Sequence, residues 1–168
     1  TVEQVTNELL KSIGKFLNKL NVTEWEKIDG FCTSVENINN IYPVYVGSDL
    51  YEKLPQILEP YLIKRKMFLL ADDGSKLYMR KIQKIFELNN IKTTTLVLNP
   101  GEQSKSLENT SGIYEWLSSE QADRDDILLG IGGGMVGDIS GYVAATYMRG
   151  IKFVLIPTTL LSMSDSSI

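Results

Sequence analysis

Apolar positions follow two rhythms along the chain. In the first twenty residues Val5, Leu9, Ile13, Phe16 and Leu20 recur at helical spacing, Leu10 and Leu17 widen the stripe, and Lys11, Lys15 and Lys19 lie on the other side. The pattern predicts an amphipathic helix. Residues 21–40 are mixed and polar, with Asn37, Asn39 and Asn40 near the end, and read as a linker or irregular excursion. The expected division is therefore an amino-terminal helix and linker over 1–40, followed by a globular domain over 41–168.

From residue 41 the rhythm alternates. Ile41 to Val46 (IYPVYV) is a β-rich run closed by Gly47, and Leu50 to Tyr61 repeats apolar residues as a helix does. Met67 to Ala71 (MFLLA) is continuously apolar, Asp72-Asp73-Gly74-Ser75 interrupts it, and Leu77 to Leu88 returns to helical spacing. Thr93 to Leu98 is β-branched and ends at Pro100-Gly101, before a helical Leu107 to Leu117. Ile127 to Ile131 (ILLGI) is another buried run, followed by three glycines, a helical stretch to Tyr147 and a last strand, Phe153 to Ile156. Strands apolar on both faces, each followed by a helix, imply an α/β fold: a Rossmann-like parallel sheet, doubly wound, with helices on both faces. The competing arrangement is α+β, with an antiparallel hairpin near Ile41.

Composition narrows the function. At 168 residues, 43% hydrophobic and 23% charged, the chain has the profile of an ordinary globular domain, with no uncharged apolar run of membrane-spanning length. A net charge of -4 opposes polyanions, so nucleic acid is not an expected partner, and any bound phosphate needs a local set of donors. The single cysteine, Cys32, has no internal disulfide partner, and no signal-peptide pattern opens the sequence, which points to a cytoplasmic location. Histidine is absent, removing the commonest metal ligand and every Ser-His or Cys-His pair.

Gly132, Gly134 and Gly137 satisfy G-x-G-x-x-G where a buried strand gives way to a helix. Glycines there let the backbone turn sharply and approach a diphosphate, whose charge suits the free amides and dipole of a helix start. The same residues also serve a tight turn that packs helix on strand, and spacing does not choose between these. In the usual dinucleotide fingerprint an acid follows about twenty residues on, but here Arg149 to Ile156 contains none. Asp72 or Asp73, at another strand end, is the candidate ribose acid, with an Asp-Gly turn as its plain alternative. Glu102 and Lys105 follow the third strand of this reading, Thr158 and Thr159 the last one, and Ser162, Ser164, Asp165, Ser166 and Ser167 crowd the end. Solvated pairs, a helix cap and a polar terminus explain these equally well.

Together, Pro100-Gly-Glu-Gln-Ser-Lys-Ser-Leu-Glu108, Gly132-Gly-Gly-Met-Val-Gly-Asp138, Ala144-Ala-Thr-Tyr-Met-Arg-Gly150 and Pro157-Thr-Thr-Leu-Leu161 with Asp165-Ser-Ser167 form four ordered blocks. In order and separation they resemble 3-dehydroquinate synthase, a sugar phosphate cyclase family, over about Ile41 to Ile168. The resemblance implies an NAD-dependent lyase of the shikimate pathway. Bound NAD transiently oxidises a ring hydroxyl of 3-deoxy-arabino-heptulosonate 7-phosphate, phosphate is eliminated, and an internal aldol closure gives 3-dehydroquinate.

By the same resemblance Gly133, Gly134, Met135 and Asp138 line the diphosphate and nicotinamide ribose, and Asp72 takes the adenosine ribose. Glu102 and Lys105 lie on the adenine side, Thr158, Thr159 and Leu161 on the nicotinamide side, and Arg149 and Asp165 face the sugar phosphate. It also implies a homodimer and a divalent metal, zinc or cobalt, held by one glutamate and two histidines of a carboxy-terminal domain. A chain without histidine does not reproduce that site, so the expectation is an incomplete, inactive half. Gly74 and Ser164 depart from the residues common in the family and leave room for a deoxy-inosose or valiolone synthase, or for a non-catalytic NAD-binding domain.

Overall fold

A computed structural model of the 168-residue chain describes residues 23–24, 30–37, 40–62 and 65–166. The helix expected over the first twenty residues lies outside them. The chain divides into two compact units, Thr1–Lys53 and Leu54–Ile168.

In the first unit, β1 (Thr23–Glu24), β2 (Gly30–Asn37) and β3 (Asn40–Gly47) form an antiparallel sheet in that order. Phe31 pairs with Val46 and Asn37 with Asn40. Ile41 to Val46 is thus not the first strand of the parallel sheet, as its apolar run suggested, and the polar segment before it contributes strands where a linker was expected. Proline explains the placement: Pro43 has no amide for a ladder, so its strand belongs at an edge, and β3 is one.

The second unit holds the expected parallel sheet. Its strands are β4 (Met67–Asp72), β5 (Thr93–Leu98), β6 (Ile127–Gly132) and β7 (Lys152–Pro157), ordered β5-β4-β6-β7 and all parallel. Helix α1 (Leu50–Leu58) precedes them, and α2 (Lys76–Leu88), α3 (Leu107–Ser119) and α4 (Gly134–Thr146) make the crossovers. The central strands are apolar because both faces are covered: every residue of β6 is buried, as are Met67 to Ala71 of β4. Successive side chains alternate between faces. Phe68, Leu70 and Leu128 share one core with Ile113 and Leu117 of α3 and Val136, Ile139 and Val143 of α4. Met67, Leu69, Leu129 and Ile131 point to the opposite face, where α2 packs on β4 and β5 and buries Met79, Ile82 and Phe86.

The strand order reverses between β4 and β6. The crossover from β4 leads outward to β5, whereas the one from β5 returns past β4 to β6. In open parallel sheets such a reversal opens a crevice beyond the carboxyl ends of the two strands.

Candidate functional site

Two segments meet at that crevice. Asp72 ends β4, and the glycine turn Gly132-Gly133-Gly134 joins β6 to α4. Ala71 pairs with Ile131, so the two strand ends lie side by side.

The close approach of α4 to β6 requires glycine twice. A Cβ on Gly132 would meet the Val136 side chain at 2.5 to 3.2 Å, and one on Gly130 would collide with Ser140, whose hydroxyl donates to the Val136 carbonyl. Helix α4 begins without a side-chain cap: Gly133 precedes it in extended conformation, and the Gly137 amide is the first to bond back to the Gly133 carbonyl. The amides of Gly134, Met135 and Val136 therefore have no partner within the helix and face outward with the positive end of its dipole. Such a start fits a diphosphate. Met135 contributes its amide alone, because its side chain is in the core.

Across the crevice Asp72 is half buried and already oriented. Its Oδ1 accepts from the Ser75 amide at 2.8 Å and lies 2.5 Å from the Ser75 hydroxyl. That hydroxyl also lies 2.7 Å from the Ile131 carbonyl, bridging the ends of β4 and β6. Ser75, read from sequence only as part of a break, is 2% exposed and is the residue that sequence reasoning missed. The available signal was the Asp-x-x-Ser spacing, which lets an aspartate and a serine bond each other's backbone. Asp73 is exposed and pairs with Lys76 at 3.2 Å.

Beyond β5, Lys105 reaches over the start of α4. Its Nζ lies 2.5 Å from Asp138 Oδ2 and 2.8 Å from Glu102 Oε2, so the structure brings all three together. Hydrogen bonding to Asp138 and then to Glu102 raises the Lys105 pKa above its ordinary 10.5. The arrangement offsets the Asp138 charge, which would otherwise repel an anion at the helix start.

At the end of β7, the Thr158 amide donates to the Gly132 carbonyl at 2.9 Å and ties that strand to the turn. Thr159 Oγ1 accepts from the Ser162 amide at 3.2 Å and lies 2.9 Å from the Ser162 hydroxyl, so here it caps the last short helical segment. Leu161 is exposed, as is Asp165 in the turn Ser162–Ser166 that packs on α4.

Arg149 stands apart. It follows α4 and precedes β7, at the amino end of the parallel strands, with a left-handed φ of 67° beside Met148 at 49° and Gly150 at 111°. The thirteen residues of α4 separate it from the glycine turn, about 20 Å at the helical rise. The structure does not bring it to the crevice within this chain.

Among the described residues, no group of three His, Cys, Asp or Glu side chains could hold a metal ion, and no helix is long and apolar enough to cross a membrane.

Comparison with known proteins agrees with the ordered motifs. Residues 95–168 match the family model described as 3-dehydroquinate synthase N-terminal. The 3-dehydroquinate synthase of Ruminiclostridium cellulolyticum is 41% identical over 128 residues, covering 76% of this chain and 35% of that protein. The enzyme of Clostridium tetani is 41% identical over 133 residues, covering 77% and 35%. Among solved structures, a 2-deoxy-scyllo-inosose synthase complexed with carbaglucose-6-phosphate, NAD+ and Co2+ superposes with a TM-score of 0.74 at 21% identity, over 80% of this chain and 36% of that one. That similarity establishes the Rossmann-like fold. The chain spans about a third of the length of the curated relatives it matches and is similar to their amino-terminal part.

Proposed function

We propose that the second unit binds NAD across the β4–β6 crevice and forms the nucleotide-binding part of a cytoplasmic, homodimeric 3-dehydroquinate synthase. The whole enzyme converts 3-deoxy-arabino-heptulosonate 7-phosphate to 3-dehydroquinate and phosphate. The observation that carries this reading is the uncapped start of α4 facing an oriented carboxylate, Asp72, across the switch point, in a chain that matches 3-dehydroquinate synthases.

The residues fit the cofactor. The amides of Gly134, Met135 and Val136 would hold the diphosphate, and Asp72 Oδ2, which takes no hydrogen bond among the described residues, would accept from the adenosine ribose. Glu102 and Lys105 would border the adenine side, with Lys105 holding Asp138 so that its carboxylate points at hydroxyls and away from phosphate. Gly133 leaves the space that Thr159 borders, and Thr158, Thr159 and Leu161 would flank the nicotinamide end. Asp165 lies at the same end of the sheet, where the sugar phosphate would sit. When bound, NAD supplies the reversible hydride acceptor that acidifies the substrate proton beside the oxidised carbon. The chain's own contribution is to bind and orient that cofactor, whereas the metal would be held by residues of a carboxy-terminal domain.

Two measurements test the reading. Calorimetric titration should show NAD binding that is lost in Gly134→Glu, which sets a carboxylate against the diphosphate, without loss of the folded far-ultraviolet spectrum. Joined to the remaining length of the Ruminiclostridium relative, the chain should release phosphate from 3-deoxy-arabino-heptulosonate 7-phosphate with NAD and zinc. Absence of NAD binding by the wild-type chain would refute the proposal.

A further inference from the structure

Ser75 occupies the residue before α2, where a serine hydroxyl ordinarily accepts a hydrogen bond from an amide of the first turn. It makes no such bond. The buried side chain turns back instead, to within 2.5 Å of Asp72 Oδ1 and 2.7 Å of the Ile131 carbonyl, while the Asp72 amide donates to it at 3.2 Å. A helix cap has been forgone for a bridge between the two strand ends that border the crevice. Local rules broken in this way concentrate at functional sites.

We propose that Ser75 is a positioning residue for dinucleotide recognition. Its one hydroxyl proton is shared between Asp72 Oδ1 and the Ile131 carbonyl, so that Oδ2 remains to accept from the adenosine ribose 2′-hydroxyl while the carboxylate is held beside the end of β6 from which the glycine turn springs. The Ser75 amide alone, 2.8 Å from Oδ1, leaves the carboxylate free to swing about that single contact. The hydroxyl removes this freedom. The inference rests on the NAD reading above and is independent of the cyclase reaction.

The test compares NAD with nicotinamide 2′-deoxyadenosine dinucleotide by calorimetric titration of the full chain. The wild type should prefer NAD by roughly tenfold or more, the worth of one hydrogen bond to a charged acceptor. In Ser75→Ala the preference should fall to about twofold, through weaker NAD binding with the deoxy analogue unchanged, because the analogue never used the carboxylate. A purely structural role would weaken both ligands equally or shift only the melting temperature. Ser75→Cys, close in volume but a weak donor, should lose the preference too and serves if the alanine variant does not fold. A folded variant that keeps the wild-type preference overturns the inference. Failure of the wild type to bind either dinucleotide overturns the NAD reading and this inference with it.

Discussion

Gly132 and Gly137 are the first and third glycines of one motif, yet the structure assigns them opposite responses to a methyl group. At Gly132 the added carbon falls 2.5 Å from Val136 Cγ2 and 2.6 Å from its Cβ. Val136 is fully buried, so the helix itself must shift. Overpacking of this kind costs about 1–3 kcal/mol. At Gly137 the same carbon meets Leu155 Cδ1 and Cδ2 at 3.5 and 3.6 Å, ordinary contact distances, inside a helix. There alanine relieves the backbone entropy of glycine and gains about 0.5–1 kcal/mol.

The two variants should therefore differ by about 1.5–4 kcal/mol. Urea denaturation can be followed by tryptophan fluorescence, since half-buried Trp116 packs edge-on against the core residue Phe68 at 5.5 Å. With a denaturant slope of about 1–3 kcal/mol per molar, the midpoints should separate by roughly 0.5 M or more, Gly132→Ala below wild type and Gly137→Ala at or above it. Equal destabilisation by both would refute the packing described for α4.

Three further outcomes follow from the same geometry. Asp126, 3% exposed, accepts from the Lys66 amide at 2.9 Å through Oδ1 and from the Asp123 amide at 2.8 Å through Oδ2. Asp126→Asn sets one amide donor against another, and Asp126→Ala abandons both, so losses of about 1–3 and about 3–5 kcal/mol are expected in that order by urea denaturation. Ser106 caps α3 by accepting from the Asn109 amide at 3.2 Å, and Ser106→Ala should cost about 1 kcal/mol in the same assay. The pKa of Lys105 is raised by Asp138 and Glu102, so its pairing stabilises fully below its ordinary value of 10.5 and is lost as pH rises through the higher folded value. The gap in stability between wild type and Lys105→Met should hold at neutral pH, narrow in strong alkali, and shrink with salt because the pair is partly exposed.

The parallel sheet was legible because its central strands are buried on both faces. MFLLA and ILLGI leave no polar side for solvent, and the observed β4 and β6 extend those runs by one residue each. Ile41 to Val46 is not placed by its pattern, because an apolar run states that a strand is covered without naming its partner. Pro43 marks it as an edge strand. The chemistry of the crevice was legible where it rests on backbone: three glycines between strand and helix announce free amides. It was not legible where it depends on which strand ends become neighbours. The order β5-β4-β6-β7 places Ala71, the neighbour of Asp72, beside Ile131, sixty positions later, and makes Ser75 a bridge. The same topology sends Arg149 to the far end of the sheet, although in sequence it lies closer to the glycines than Asp72 does.

The proposed NAD site is tested most directly by where the dinucleotide touches the backbone. Titrating NAD into the isotope-labelled chain, with assigned amide resonances followed by nuclear magnetic resonance, should move Gly134, Met135 and Val136 saturably together with Asp72 to Ser75, and leave Arg149 and Gly150 in place. Unmoved glycine-turn amides at saturating NAD, or shifts gathered around Arg149, would contradict it.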